Sequence, residues 1–501
     1  MKDLIKAIPH HFKPEEITLI GKALDLARKA HAGQKRMSGE DYVTHAAASA
    51  VILGQIFPDP PTLAATLLHD VPEDTKVTLK TIKTEFGEEI ANLVDGVTQL
   101  GRVRMKDSKD KFYVENLRKL FIATSKDIRV ILIKLADRLH NMRSIEHIPK
   151  NKQIKVATET LEIYAPIAGR LGIGKWKDEL EDLSFSVVYP KEFAETQKIV
   201  QVELEKKQES IKEMQKKLTH ILKTEGIKFL DITGRVKRLY SLFNKLKKYG
   251  GDISKVHDII ALRIIAKSTA ECYSILGAIH QYFQPVPGRI KDFIATPKPN
   301  GYQSIHTTVL DLNKETFEIQ IRTDLMHEEA ERGVAAHWFY AEEGKPEVSS
   351  SAQSRWIKEL QSWQEQTTNP EEFLESLKID FFRHRIFVFT PRGDIKDLPL
   401  GATVIDFAFA VHTSLGEHMM GAKINGKMAS IYDELEQEDT VEIIKSKKPV
   451  TISQDWLKAA KTSNARNKIR HYLNEHNRGI IQRIKELQFQ KFTLPKFFRR
   501  K

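Results

Sequence analysis

The sequence predicts a multidomain α and α+β chain: an all-helical block, a mixed α/β domain, and a small strand-rich unit with basic helices behind it. Three observations predict this. From residue 5 to about 190, apolar positions recur three and four apart, as in DIRVILIKLADRLHNM, which is the period of a helix buried on one side. From about residue 225 the pattern turns β-branched in HDIIALRIIA and strictly alternating in TFEIQIRT, so strands have entered. At 501 residues the chain exceeds what one hydrophobic core supports, and about three domains are expected.

Taken in order, residues 1–190 form the helical block. Residues 191–224 follow as a connecting helix that lines up Ile199, Leu204, Ile211, Met214, Leu218 and Leu222 on one face among many charges. The α/β domain occupies 225–345. EEGKPEVSSSAQS (342–354) reads as a linker by its Gly, Pro and Ser, and amphipathic turns fill the rest of 346–383. RIFVFTPRGD opens the strand-rich unit, 384–446, with turn signals at PRGD, PLGA and NGK. Residues 447–501 are a basic helical tail.

Composition narrows the class. Hydrophobic residues at 41% and charged residues at 29% describe a soluble globular protein and exclude a disordered or fibrous one. The start lacks a signal-peptide pattern and no long uncharged apolar run occurs, so a cytoplasmic location without membrane contact is expected. Cys272 is the sole cysteine, which excludes intrachain disulfides and cysteine-built zinc sites; any metal must use His, Asp or Glu. From Lys445 onward there are 16 Lys or Arg against 3 Asp or Glu, a net charge of +13 where the whole chain has +12. The body is therefore near neutral. The tail is either a polyanion-binding segment or a solvated basic helix.

The helical block carries polar residues where its periodicity predicts core. His45, His69, Asp70 and Asp137 offer two imidazoles and two carboxylates, a set suited to a divalent ion such as manganese with positions left open for water. Lys134, Asp137, Asn141 and Ser144 are spaced to form one helical stripe. Pro72 predicts that the helix bearing His69 ends near Val71, with Glu73 and Asp74 just beyond it, free to align a water and shuttle its proton. Residue types alone leave a second reading open, since single histidines on helices are usually exposed or hydrogen-bonded.

AHAGQKRMSGEDYVTH, HDVPEDT and KLADRLHNMRS together resemble the HD hydrolase domain of the RelA/SpoT family. The resemblance implies that His45, His69, Asp70 and Asp137 hold Mn²⁺, that Glu73 and Asp74 are the catalytic pair, and that Arg36 and Asn141 contact substrate. The activity it implies is removal of pyrophosphate from the 3′ position of (p)ppGpp. Two departures stand out: Met37 follows Arg36 where the family usually has Lys, and Pro72 replaces a small apolar residue.

In FEIQIRT, alternation puts Glu318, Gln320 and Arg322 on one face and Phe317, Ile319 and Ile321 on the other. Asp258, at the start of the HDIIALRII strand, is a candidate partner of Glu318 on Mg²⁺. Arg263 falls on the opposite face to Asp258 unless the strand bulges or ends between them. GRVKRLYS supplies Arg235, Lys237 and Arg238 for phosphates, and GRIKDFIATPKPNGYQSIH supplies Lys291, Lys298, Asn300, Tyr302 and His306, with Tyr302 suited to stack a base. An ordinary basic surface is the other reading. GRLGIGKW, Gly169–Trp176, has P-loop spacing but ends in Trp where Ser or Thr must hold Mg²⁺, and no strand precedes it.

These motifs, with ERGVAAHW from Glu331, resemble the synthetase domain of the same family. The resemblance implies transfer of pyrophosphate from ATP to the 3′ hydroxyl of GDP or GTP. Asp258 and Glu318 would bind Mg²⁺, Glu318 would help deprotonate the hydroxyl, Arg235 and Lys237 would hold ATP phosphates, and Tyr302 would stack guanine with Lys298, Asn300 and His306 nearby. RIKD, Arg289–Asp292, is the version found in bifunctional members. Residues 384–446 resemble the family's TGS domain, a β-grasp unit, with Glu417 where a His is common. tRNA and the ribosome are then the partners expected of this unit and the basic tail, and the family's regulatory C-terminus is expected to be cut short. The reading that results is a long-type bifunctional alarmone enzyme of the stringent response. Its rivals are an RNA-binding regulator and a phosphohydrolase with an inert synthetase-like domain.

Overall fold

The computed structural model describes residues 2–8, 10–98, 122–124, 126–253, 256, 259–298, 300–311, 314–336, 385–436 and 439–475. Asp258, the linker at 342–354, the turns up to 383 and the tail beyond 475 lie outside them. The chain divides into two compact units, Met1–Glu371 and Glu372–Lys501. Among the described residues no helix is long and apolar enough to cross a membrane.

In the first unit, α1 (Pro14–Ala30), α2 (Tyr42–Gly54), α3 (Pro60–Leu68), α4 (Val71–Asp74), α5 (Leu79–Thr98) and α6 (Arg129–Arg143) pack around Ile20, Leu53, Leu63, Leu67, Val94 and Ile131. α3 starts sharply because Asp59 accepts a hydrogen bond from the Thr62 amide and Pro60 follows at the first helical position, where its missing N–H is no loss. α3 ends at Leu68, and His69 and Asp70 form the turn. Pro72 does not push Val71 out of helical geometry as the sequence suggested: Val71–Asp74 is a separate one-turn helix with the proline in its first turn, the place where proline is tolerated.

Beyond α7 (Ala165–Arg170) and α8 (Gly174–Val188) runs α9, Pro190–Thr224, whose 35 residues make a rod about 50 Å long. Its face serves two cores. Ile199, Val200 and Leu204 meet Leu242 and Leu246 of α10 (Leu239–Lys248), while Met214, Leu218 and Leu222 meet the sheet.

That sheet runs β1 (Asp231–Val236), β2 (Ile260–Ala266), β6 (Thr316–Thr323), β5 (Ile305–Leu310), β3 (Gln284–Pro285), with β4 (Lys291–Asp292) also on β5. β2 and β6 are parallel and the other pairs antiparallel. Leu262, Ile264, Val309, Phe317, Ile319 and Ile321 face α9 and α11 (Thr269–Tyr282). Each such side chain, fully buried, contributes about 1.5–3 kcal/mol. This apolar face leaves the alternate residues to the site. α12 (Asp324–Arg332) follows β6 directly, capped by Thr323.

The second unit pairs β7 (Arg385–Phe389) with β8 (Ile395–Pro399) and orders β10 (Lys427–Ala429), β9 (Met419–Ile424) and β11 (Val441–Lys445) in a second sheet. Asn425 and Gly426 turn the β9–β10 hairpin at φ 51° and 79°, the left-handed pair that an Asn-Gly hairpin requires. α13 (Val404–Val411) buries Phe407 and Phe409 against both sheets' apolar residues, and Trp456 of α14 (Gln454–Ala459) and Ile469 join the same core.

Candidate functional site

Two polar centres lie in the first unit. The first forms where α2, the α3–α4 turn and α6 converge. His45, His69 and Asp137 are buried and offer ligand atoms within 4.8 Å of one another. His45 Nε2 stands 3.2 Å from Asp137 Oδ1 and 3.7 Å from Asp70 Oδ2; His69 Nε2 stands 3.1 Å from Asp70 Oδ1. The approach of His69 Nε2 to Asp70 lacks hydrogen-bond geometry, so a fully buried ring nitrogen is left without a partner. A buried imidazole nitrogen without a hydrogen bond beside two carboxylates fits a divalent cation, which would take all three groups as ligands.

The electrostatics agree. Burial would raise the Asp70 carboxyl, but His69 beside it holds it down to about 2, and Asp137 is held well below the usual range against its burial by Lys134, 2.9 Å away. Both carboxylates stay ionised, as ligands must. Glu73 is the exception: burial raises its carboxyl, and its Oε1 has no hydrogen-bond partner. Asp74 is exposed and tied to Tyr42, whose hydroxyl lies 2.9 Å from Asp74 Oδ2 and 3.1 Å from Asp70 Oδ2. Burial, then these two carboxylates, push the Tyr42 hydroxyl up, so it stays a proton donor.

The stripe on α6 is present as spaced. Lys134 Nζ and Asn141 Nδ2 both donate to Asp137, and Ser144 lies at the far end, 3.5 Å from Arg36. Asn141 and Arg36 therefore meet each other, with Arg36 Nη2 donating to Asn141 Oδ1 over 2.6 Å. Met37 is 65% exposed beside them.

The second centre is the polar face of the sheet. Residues paired across a ladder point the same way, so the register Arg235↔Ala261↔Glu318 with Arg263↔Gln320↔His306 puts Arg235, Arg263, Glu318, Gln320 and His306 on one side, and Arg322 with them. Arg263 thus shares the face of Glu318. β2 runs from Ile260, and Asp258 lies outside the described residues.

Glu318 Oε1 accepts from Gln320 Nε2 at 3.0 Å and lies 3.4 Å from His306 Nδ1; His306 Nε2 is 2.9 Å from the Tyr302 hydroxyl. Lys298 Nζ sits 4.9 Å from the Tyr302 ring centre. Lys291 pairs with His306 across β4–β5, and Lys237 directly follows β1. The cations are crowded: burial, then Arg322 and Arg235, lower the Arg263 guanidinium to about 10, and Nε of both Arg263 and Arg322 lacks a partner. Such a face is built for a polyanion. Arg322, 1% exposed, was not among the phosphate candidates from sequence, although alternation already put it on Glu318's side.

Part of the helical block closes over this face. Asp178 of α8 lies 3.4 Å from Arg235 Nη2 and 3.6 Å from Arg238 Nε. Asn300, expected near guanine, donates to the Gly169 carbonyl over 3.2 Å. The glycines of GRLGIGKW serve backbone packing: Gly172, at φ 74°, and Gly333, at φ 56°, lie back to back, and the Val334 amide donates to the Leu171 carbonyl over 2.9 Å. A Cβ on Gly333 would collide with that carbonyl.

Comparison with known proteins follows these divisions. Residues 23–174 match the HD domain family, 234–345 the region found in RelA / SpoT proteins, and 386–445 the TGS domain. The chain is 44% identical over 472 residues to a GTP pyrophosphokinase of Myxococcus xanthus, covering 94% of this chain and 62% of that one. It is 42% identical over 496 residues to a guanosine-3′,5′-bis(diphosphate) 3′-pyrophosphohydrolase of Aquifex aeolicus, covering 97% and 70%. To the bifunctional (p)ppGpp synthase/hydrolase SpoT of Escherichia coli it is 41% identical over 480 residues, covering 95% and 68%. The chain thus spans between about three fifths and 70% of the length of these relatives.

Proposed function

The chain belongs to the RelA/SpoT family, and on that premise we propose that it both synthesises and hydrolyses (p)ppGpp, at the sheet face and at the histidine–aspartate cluster respectively. The observation that carries this reading is that one unit holds both a buried ligand set with an orphaned nitrogen and a face of crowded arginines beside Glu318, with Nε of Arg263 and Arg322 left without a hydrogen bond.

For hydrolysis, His45, His69, Asp70 and Asp137 would hold Mn²⁺, which when bound supplies Lewis acidity toward a phosphoryl oxygen. Glu73, with a raised carboxyl and a free acceptor oxygen, takes the proton of the attacking water. Asp74, fixed by Tyr42, orients that water. The water oxygen bonds to the phosphorus carried on the 3′ oxygen as the P–O3′ bond breaks, and the proton held by Glu73 passes to the leaving 3′ oxygen, giving GDP or GTP and pyrophosphate. Arg36 and Asn141 meet the nucleotide at the rim.

For synthesis, Arg235, Lys237, Arg263 and Arg322 neutralise the ATP phosphates, and Glu318 with Asp258 would hold Mg²⁺, which screens charge on the transferred group. Glu318 accepts the proton of the 3′ hydroxyl of GDP or GTP, whose oxygen bonds to the β-phosphorus as AMP leaves. Tyr302 stacks the guanine, with Lys298, Lys291, Asn300 and His306 around it. The TGS unit and the basic stretch after Lys445 bind RNA phosphates, tRNA and the ribosome being the partners, and the protein works in the cytoplasm.

The test gives purified protein radiolabelled ATP with GDP and Mg²⁺, and separately labelled ppGpp with Mn²⁺, and resolves the nucleotides by chromatography. Both products are expected. Neither product from folded protein would overturn the assignment.

A further inference from the structure

His140 lies three residues beyond Asp137 on α6, and its ring is held between two partners. Its Nδ1 is 3.3 Å from Arg36 Nη1 and 2.8 Å from His45 Nδ1. A guanidinium can only donate, so His140 Nδ1 is an acceptor. The contact with His45 is then a hydrogen bond only if His45 Nδ1 carries the hydrogen. That leaves His45 Nε2, the atom facing Asp137 and Asp70, with a bare lone pair. A second arm has its polarity set by the same guanidinium. Arg36 Nη2 donates to Asn141 Oδ1, which turns Asn141 Nδ2 toward Asp137 Oδ1, 2.6 Å away. His69 arrives at the same tautomer by a simpler route, since its Nδ1 is 2.7 Å from the Thr66 carbonyl, which can only accept.

We propose that His140 is a positioning residue of the metal centre: it holds His45 in the tautomer whose Nε2 can ligate, and Arg36 sets the polarity of both arms, through His140 to His45 and through Asn141 to Asp137. Metal-ligating histidines usually take this support from a carboxylate or a backbone carbonyl. Here a neutral imidazole fills the role because the neighbouring guanidinium dictates which of its nitrogens accepts. Arg36 is thereby tied to the metal ligands as well as to substrate, so a nucleotide phosphate that draws Arg36 away slackens both arms together. The inference rests on the reading of His45, His69 and Asp137 as metal ligands.

The test uses the metal alone. Mn²⁺ is titrated into the metal-stripped full chain and free Mn²⁺ is read by its EPR signal. His140→Phe removes the acceptor, whereas His140→Asn keeps an acceptor oxygen at the position of Nδ1. His69→Ala serves as the ligand control, and a thermal melt of each metal-free variant checks folding. His140→Phe should weaken Mn²⁺ binding about 10- to 100-fold, the usual effect of losing an outer partner, and His140→Asn should recover most of it. His140→Leu tests the same loss should the Phe variant not fold. Unchanged affinity in the Phe or Leu variant, or equal weakening in the Asn variant, overturns the proposal. If the parent chain takes up no Mn²⁺, or His69→Ala binds as the parent does, the metal reading itself fails and takes the proposal with it.

Discussion

Replacing Asp178 by Asn should make the protein a better synthetase without touching its hydrolase. Asp178 holds Arg235 at 3.4 Å and Arg238 at 3.6 Å, so ATP bound as proposed would compete with a carboxylate for Arg235. Asp178 is 18% exposed and Arg235 38%, so the pair is only partly desolvated. Exposed pairs contribute about 0.2–1 kcal/mol and charge-assisted hydrogen bonds about 1.5–3, and the solvent access of Arg235 places this contact at about 1 kcal/mol. At about 1.4 kcal/mol per tenfold, that is roughly a fivefold fall in KM for ATP, with kcat little changed. The assay is initial-rate synthesis of ppGpp at varied ATP, repeated at high salt, where screening should shrink the difference. An unchanged or raised KM for ATP would show that Asp178 does not compete for Arg235.

Three other outcomes follow from the structure. Glu73→Ala should abolish hydrolysis and leave synthesis intact, and Glu318→Ala should do the reverse, each losing at least the ~10²–10⁴-fold that general acid–base catalysis contributes; one substitution that silences both activities would undo the two-site assignment. Gly333→Ala should destabilise the first unit by about 1–3 kcal/mol, because the new Cβ is both strained at positive φ and driven into the Leu171 carbonyl, and a calorimetric melt indistinguishable from the parent would contradict that packing. Cys272 is fully buried, and burial, with Glu271 nearby, holds its thiol up at about 11. The native protein should therefore react slowly with a thiol reagent at pH 8, faster as the pH climbs toward 11, and at once in denaturant; prompt stoichiometric labelling of the folded protein at pH 8 would refute this.

Within single elements the chain could be read directly. Period 3.6 put Lys134, Asp137, Asn141 and Ser144 on one side of α6, and there Lys134 and Asn141 both bond Asp137. Period 2 put Glu318, Gln320 and Arg322 together, and they share the polar face of β6. Turn chemistry marked the Asn425–Gly426 hairpin. In each case the physics is local, since backbone geometry alone fixes which neighbours share a face.

What lay beyond that reach depended on elements far apart in the chain. Whether Arg263 faces Glu318 turned on the register of β2 against β6, which pairs Ala261 with Glu318 and Arg263 with Gln320. GRLGIGKW could be rejected as a phosphate loop, but its use, letting Gly172 and Gly333 lie back to back, needed the partner segment to be in place. Arg36 and His140 are 104 residues apart in sequence and 3.3 Å apart in space. Periodicity orients side chains about one axis and carries no information on how two axes cross. The residue types of both centres were therefore determined by the sequence, while the packing of α2 and the α3–α4 turn on α6, and of α8 over the sheet, decided which of them meet.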